Sequence, residues 1–491
     1  AIEFLKGVIA RQPNLAEAHL NLGNSYRKAG QLSLSVRHLD EAIKLQPNLA
    51  KACASLGKTL TSGGDVLGAS KAYLQALELA PNDALIHSSY VYSLQYLPDS
   101  TPEIIRDAHI EWDRQQGSTG EAFNVNLPMS ANNRPLRLGF LTTDLKRHPT
   151  GYFLYHLFEH HDPVCLHLSV YSEGEADDLT AEFKKMSESW TDVHGMPDTD
   201  LGNRIIEDKI DILFDLMGHM PGNRLPLFAR RAAPLQISWA GYVGTTGLAN
   251  MDALLVDRYH VPEGWEDHHR EKVIRFPDWY MSYAAPYYAP DVSELPAKSK
   301  GYITFGSFNN PAKIDDEILK NWREILQSVP NSKLVLLYTG MTDPMNRDRI
   351  LGAFTSEGID ADRIELNGRT PHVQVLEKYG VIDIALDTQI YSGGLTTCEA
   401  LWMGVPVVTL PGTTFMQRHS LSHLSNAGLP NLVAKNAQNY IEIAVDLAND
   451  LPKLAELRST LRERVKKSPL CDGDEFTRNF ERLIYEFWQN S

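Results

Sequence analysis

The chain has 491 residues, 43% apolar and 22% charged. That is an ordinary globular composition but too much chain for one core, so two to four folding units are expected. A formal net charge of -15 argues against general nucleic-acid binding, which needs a basic stripe, yet leaves room for an anionic small ligand held by a local nest of donors.

Residues 1–20 mix charged and apolar side chains at helical spacing, unlike a signal peptide, and the chain opens on Ala1 inside a repeat, as a fragment or processed form would. No uncharged apolar run approaches the ~20 residues that cross a bilayer. Cys53, Cys165, Cys398 and Cys471 are scattered, so free thiols and a reducing, cytoplasmic location fit better than a disulfide framework or metal cluster.

Pro13-Asn14, Pro47-Asn48 and Pro81-Asn82 recur every 34 residues, the tetratricopeptide period. Leu22-Gly23, Tyr26, Leu39 and Ala42 fit its inner pattern, and Leu56-Gly57, Leu60, Ala69, Tyr73 and Ala76 repeat it. Small Gly and Ala let two antiparallel helices approach, large residues fill the gaps, and Pro stops the second helix. Residues 1–95 are therefore read as a helical repeat array. The period breaks over 96–135, where Pro98, Pro102, Gly117, Gly120 and Pro128 mark a linker with one helix near 101–116.

From Leu136 short apolar runs alternate with helical stretches. Residues 136–141, 167–172, 210–216, 235–239 and 253–256 read as strands of a first parallel-sheet domain, 136–290. A Pro-rich interruption at 277–296 precedes a second domain, 300–465, with strands at 302–307, 333–338, 363–367, 382–386 and 405–410; a helix follows over 466–491. Two such Rossmann-like units leave a cleft between the carboxyl ends of their sheets, where ligands bind.

Three groups of residues could carry chemistry there. Asp387-Thr-Gln-Ile-Tyr391-Ser-Gly393-Gly394-Leu395-Thr396-Thr397-Cys398-Glu399 reads as strand end, glycine loop and helix start. Gly393 and Gly394 let backbone approach a ligand, the free N–H groups of the helix start favour phosphate oxygens, and Thr396 and Thr397 add hydroxyl donors. Glu399 in the first turn can accept from sugar hydroxyls. Phe308-Asn309-Asn310-Pro311-Ala312-Lys313 also lies between strand and helix, offering two side-chain amides and a cation. In the first domain, His148, in Arg147-His148-Pro149-Thr150, and His219, in Gly218-His219, follow strands in Gly/Pro loops and are candidates for proton handling or ligand orientation. The Asp198-x-Asp200 and Asp472-x-Asp474 spacings resemble metal-bound nucleotide sites, but neither closes an apolar strand, so both read as loop or cap residues.

Together these motifs resemble the O-linked N-acetylglucosamine transferase family, including bacterial members and the plant SPINDLY-type protein O-fucosyltransferases. The resemblance runs from about residue 13 to the C-terminus. It rests on His148-Pro149-Thr150, Gly218-His219, Ala233-Pro234 with Gln236, Trp239 and Gly241-Tyr242, on Asn309-Asn310 with Lys313, and on Thr396-Thr397 with Glu399 and Gly404-Val-Pro406. It implies a GT-B fold of two Rossmann-like domains behind tetratricopeptide repeats, and a metal-independent, inverting transfer of N-acetylglucosamine from UDP-GlcNAc to Ser or Thr of proteins, without a cofactor. Lys313 and the helix start at Thr396–Thr397 would stabilise the leaving diphosphate. Asn309 would help to hold the donor, Glu399 would meet the ribose, and His148 or His219 would orient the acceptor or take its proton.

The chain departs from the animal enzymes at Ala312 (Tyr there), Val375 (His) and Leu395, which stands at a frequent Thr position. GDP-fucose is the alternative donor. A transferase or epimerase for small sugars or polysaccharide, and a repeat adaptor with a degenerate transferase domain, are the rival readings. The repeats are expected to bind peptide through Asn21, Asn24, Ser55 and Ser89, and to take no part in donor chemistry.

Overall fold

A computed structural model describes residues 1–117, 120–125 and 134–491; Pro128, one of the linker markers, lies outside them. Six antiparallel helices open the chain: α1 (Ile2–Arg11), α2 (Ala16–Lys28), α3 (Leu32–Leu45), α4 (Ala50–Ser62), α5 (Val66–Leu79) and α6 (Ala84–Ser93). The repeat glycines are there for helix contact. A Cβ on Gly23 would come within 2.7 Å of Leu39, and one on Gly57 within 2.8 Å of the Tyr73 ring. Helix α7 (Pro102–Trp112) follows, capped by Thr101 and widened at its end into a π turn over Asp113–Gly117.

Seven parallel strands form the first sheet: β1 (Leu136–Thr142), β2 (Leu166–Ser172), β3 (Ser189–Asp192), β4 (Ile212–Asp215), β5 (Leu235–Ser238), β6 (Ala253–Asp257) and β7 (Lys272–Phe276), in the order β3-β2-β1-β4-β5-β6-β7. Phe140 pairs with Val170 on one side and Phe214 on the other. Strand β4 is buried throughout, as a strand covered on both faces must be. The second sheet holds β8 (Thr304–Ser307), β9 (Lys333–Leu337), β10 (Ile364–Asn367), β11 (Ile384–Leu386) and β12 (Val407–Val408), all parallel, in the order β10-β9-β8-β11-β12. The strand order reverses between β1 and β4 in one sheet and between β8 and β11 in the other, and a ligand crevice opens at such switch points. The tail does not stay with the second sheet. Its last helix, Gly473–Gln489, returns to the first, where Phe480 stacks on Trp239 at 5.0 Å and Phe476 on Phe276 at 5.5 Å.

The array is docked on both α/β units. Ser33 Oγ donates to Asp343 Oδ1 at 2.6 Å, and Asn346 Nδ2 to the Ser62 carbonyl at 3.2 Å. Gly30 and Gly340 both have positive φ, and a Cβ on Gly30 would sit 3.0 Å from the Gly340 nitrogen. On the other side Gln95 Nε2 donates to Tyr242 Oη at 2.7 Å.

Candidate active site

The crevice between the sheets is a cavity of about 630 Å³. Its floor is built from strand ends. After β8 the chain turns through Phe308 and Asn309 into a short 3₁₀ turn, Pro311–Lys313, which Asn310 caps by accepting from the Ala312 N–H at 3.0 Å. This turn aims Lys313 across the crevice. Its Nζ lies 3.8 Å above the Tyr391 ring and donates to the Ser392 carbonyl at 3.2 Å. Burial pushes Lys313 down to about 8, against the opposing pull of Asp387. Ala312 is buried beneath the turn, so no phenol reaches the crevice from that position.

After β11, Asp387 organises the glycine loop. Its Oδ1 accepts from the Gly393 N–H at 2.7 Å and its Oδ2 from Thr409 Oγ1 at 2.7 Å. A side chain on Gly393 would strike Thr397 Oγ1 at 2.5 Å, whereas the space beside Gly394 is open. The helix Leu395–Trp402 starts at that opening with no side-chain cap, leaving its first N–H groups and their partial positive charge for a ligand. Thr396 Oγ1 donates to Asn309 Oδ1 at 3.1 Å, tying the two loops together. Thr397 points inward to Ser420 Oγ at 2.7 Å, so its hydroxyl serves the loop's packing and is not a free donor.

Glu399 is buried and already engaged. His372 Nε2 lies 2.5 Å from Glu399 Oε1, and its Nδ1 lies 2.7 Å from Tyr288 Oη, which is 2.6 Å from Tyr152 Oη. A carboxylate can only accept, so Nε2 carries the proton and Nδ1 accepts from Tyr288. The chain of bonds crosses from the second α/β unit to the first. Sequence reasoning missed His372, whose partners Glu399 and Tyr288 lie on distant segments.

The two candidate histidines part company. His148 is the N-cap of the helix Pro149–His160, with Nδ1 3.6 Å from Asp144 Oδ2, and it lines the crevice. Burial holds it below the ordinary histidine value, with Asp144 opposing, which keeps it neutral and able to accept a proton. His219 corrects the sequence reading. It is fully buried between the repeats and the first sheet, with Nδ1 3.1 Å from Ser88 Oγ and Nε2 2.8 Å from the Thr246 carbonyl. Both nitrogens are occupied and the ring packs on Trp112 and His109. It joins the array to the catalytic unit and offers no nitrogen to the crevice.

The repeat residues also divide. Asn21 is exposed and Asn24 half-buried on α2. Ser55 is buried, and Ser89 Oγ donates back to the Leu85 carbonyl at 2.8 Å, so neither presents a free hydroxyl as a peptide ladder would need. The end of the array nonetheless reaches the crevice. Tyr92, on α6, and Tyr96, just beyond it, line the crevice, and Tyr96 stacks on Tyr391 at 5.6 Å, the ring beneath Lys313. The two Asp-x-Asp pairs are structural: Asp198 pairs with Arg224 at 2.7 Å, and Asp472 caps the last helix.

A crevice between two parallel sheets, with a lysine facing an uncapped helix start and a repeat array closing one side, is the GT-B glycosyltransferase arrangement. Comparison with known proteins agrees. The profile of glycosyl transferase family 41 matches residues 86–283 and 292–480, and tetratricopeptide repeat profiles match 16–49 and 50–83. The chain belongs to glycosyl transferase family 41. It is 36% identical over 406 residues to the probable UDP-N-acetylglucosamine–peptide N-acetylglucosaminyltransferase SPINDLY of Solanum lycopersicum, covering 81% of this chain and 43% of that protein. To the probable enzyme SEC of Arabidopsis thaliana it is 30% identical over 364 residues, 72% of this chain and 37% of that one. The chain thus spans less than half the length of these curated relatives. A solved mutant of the O-GlcNAc transferase of Thermobaculum terrenum superposes with a TM-score of 0.94 at 34% identity, covering 99% of this chain and 93% of that one.

Proposed function

We propose that this chain catalyses inverting transfer of N-acetylglucosamine from UDP-GlcNAc to Ser or Thr of proteins, in the cytoplasm, without a metal or cofactor. The observation that carries the reading is Lys313, held by the Pro311–Lys313 turn against the open start of the helix Leu395–Trp402. One cation and a helix N-terminus supply the positive potential that a departing nucleoside diphosphate requires. In the reaction the acceptor hydroxyl oxygen bonds to the anomeric carbon, and the bond from that carbon to the diphosphate breaks with its electron pair going to phosphate oxygen. The hydroxyl proton goes to a neutral base, for which His148 is placed on the crevice wall. Glu399, positioned by His372, accepts from the ribose hydroxyls. Peptide reaches the crevice along the repeats, passing Asn21 and Asn24 and then Tyr92 and Tyr96.

GDP-fucose is the competing donor, because the crevice carries Val375 and Leu395 where the family's animal enzymes carry polar side chains. The test is a panel of UDP- and GDP-sugars incubated with protein substrates and read by mass spectrometry on Ser and Thr. N-acetylhexosamine addition from UDP-GlcNAc is expected. Fucose addition instead would overturn the donor, and no transfer from any sugar nucleotide would overturn the reading as a whole.

A further inference from the structure

Beneath the crevice floor lies a buried chain of acid and imidazole groups that the reading above does not use. Asp257, at the end of β6, is fully buried and accepts from the backbone N–H of Tyr259 at 2.8 Å, from that of His260 at 2.9 Å and from Ser422 Oγ at 2.7 Å. His260 Nδ1 lies 2.9 Å from Asp257 Oδ2, and His260 Nε2 lies 2.8 Å from His419 Nδ1. His419 opens the helix His419–Asn426 and lines the crevice beside Tyr391. Among the described residues its Nε2 has no hydrogen-bond partner, and it is not among the polar atoms sealed from solvent.

The donor and acceptor order follows from one end. Burial would raise Asp257, but His260 and the surrounding hydrogen bonds hold its carboxyl below the ordinary value, so it is ionised and accepts only. In the neutral His260 ring the proton sits on Nδ1, toward Asp257, and Nε2 presents a lone pair. That lone pair takes the Nδ1 proton of His419, which leaves Nε2 of His419 bare. Burial and the Lys313 ammonium both oppose a positive charge on His419, so the ring stays neutral. A neutral nitrogen lone pair repels phosphate oxygen and attracts O–H or N–H.

We infer that His419 is a specificity-determining residue for the donor sugar: its Nε2, fixed as an acceptor by Asp257 and His260, takes a hydrogen bond from a sugar hydroxyl or the amide N–H of an acetamido group. This rests on the transferase reading. The diphosphate goes to Lys313 and the helix start, and His419, one ring beyond Tyr391, reads the sugar attached to it. Asp257 and His260 are positioning residues, which set the tautomer and do not touch the donor.

Calorimetry on the full chain tests this with two ligands, the free nucleoside diphosphate and the sugar nucleotide, for wild type, His419→Phe and His419→Leu, each checked for folding by circular dichroism. Both variants should bind the sugar nucleotide about tenfold more weakly, the order of one lost neutral hydrogen bond, and bind the free diphosphate as wild type does. Deoxy and deacetylated donors then find the partner group. Removing it should cost wild type about tenfold and cost the variants nothing. His260→Phe should show the same donor-specific loss. Equal losses on the free diphosphate would mean that Nε2 carries a proton toward phosphate, and would overturn the inference. So would donor analogues that lose affinity alike in wild type and variants. A wild type that binds no sugar nucleotide would bring down the transferase reading itself, an outcome separate from either.

Discussion

Lys313 makes the transferase reading quantitative. It shares the crevice with the helix start and the Gly394 end of the loop, held by the Ser392 carbonyl and the Tyr391 ring, with no carboxylate bonded to it among the described residues. Lys313→Ala removes a charged donor from the departing oxygen, a loss of ~3 kcal/mol or a hundredfold or more in kcat. Nucleotide affinity should fall less, because the helix N–H groups remain. Lys313→Arg keeps a charge that is not lost below pH 10, so its profile should stay flat where the wild type bends. The pH dependence carries a sign. Burial lowers this lysine to about 8, so in the free enzyme its charge is present below that pH and lost above it. The plot of kcat/KM should bend downward near pH 8 and then fall about tenfold per pH unit. The kcat profile should bend later, because the bound diphosphate raises the lysine again. Stopped assays of sugar transfer across pH 6–10, for wild type and Lys313→Arg, measure both limbs. A folded Lys313→Ala enzyme with near-normal kcat would refute leaving-group stabilisation by this residue, and a flat wild-type profile to pH 10 would refute its lowered titration.

If Lys313 and the helix start carry the diphosphate charge as proposed, transfer should survive excess EDTA; loss restored by Mg²⁺ or Mn²⁺ in a transfer assay would contradict this. Glu399→Gln should weaken nucleotide binding by calorimetry about tenfold, one charge-assisted hydrogen bond, while leaving the fold intact; unchanged affinity would free Glu399 from the ribose role. Tyr96→Ala should lower kcat/KM about threefold to tenfold, the ~0.5–1.5 kcal/mol of an aromatic pair, although the residue lies outside both α/β units. A wild-type rate in that variant would separate the array from the donor site after all.

The parts of the site that the sequence exposes are those built from one contiguous segment. The strands β1 and β4 read correctly because they are buried and written largely in apolar residues. Lys313, Gly393 and Gly394 read as ligand-facing because each sits within a few residues of a strand end. Ser189–Asp192 was not legible as a strand: it is a half-exposed edge, with Ser, Trp, Thr and Asp in place of an apolar run. Lys272–Phe276, at the other edge, begins on an exposed lysine. Expected residues 405–410 shorten to Val407–Val408, where Thr409 leaves the ladder to bond Asp387 and to bridge Val433. His219 misled because a histidine after an apolar strand looks the same whether it faces a ligand or the underside of a repeat. His372, His419 and Tyr96 were invisible for the converse reason. Each acts through partners far away in sequence, Glu399, Asp257 and Tyr391, and no local spacing announces a contact made across two sheets.

Those distant contacts bear on how acceptor choice and chemistry are joined. Arg349 lies against Gly64 of the array and donates to the Ile314 carbonyl at 2.8 Å and the Pro311 carbonyl at 3.4 Å, the backbone of the turn that carries Lys313. Tyr96 presses on Tyr391 from the opposite side of the same lysine. The repeats and the turn that follows them thus reach the surroundings of Lys313 twice, through Arg349 beneath its 3₁₀ turn and through Tyr96 on the Tyr391 ring. A peptide that shifts α6 by even a fraction of an ångström moves Tyr96, and packed rings transmit that shift because protein interiors are dense. On the proposed reading, acceptor selection and leaving-group stabilisation share one packed wall, because the array contacts both α/β units.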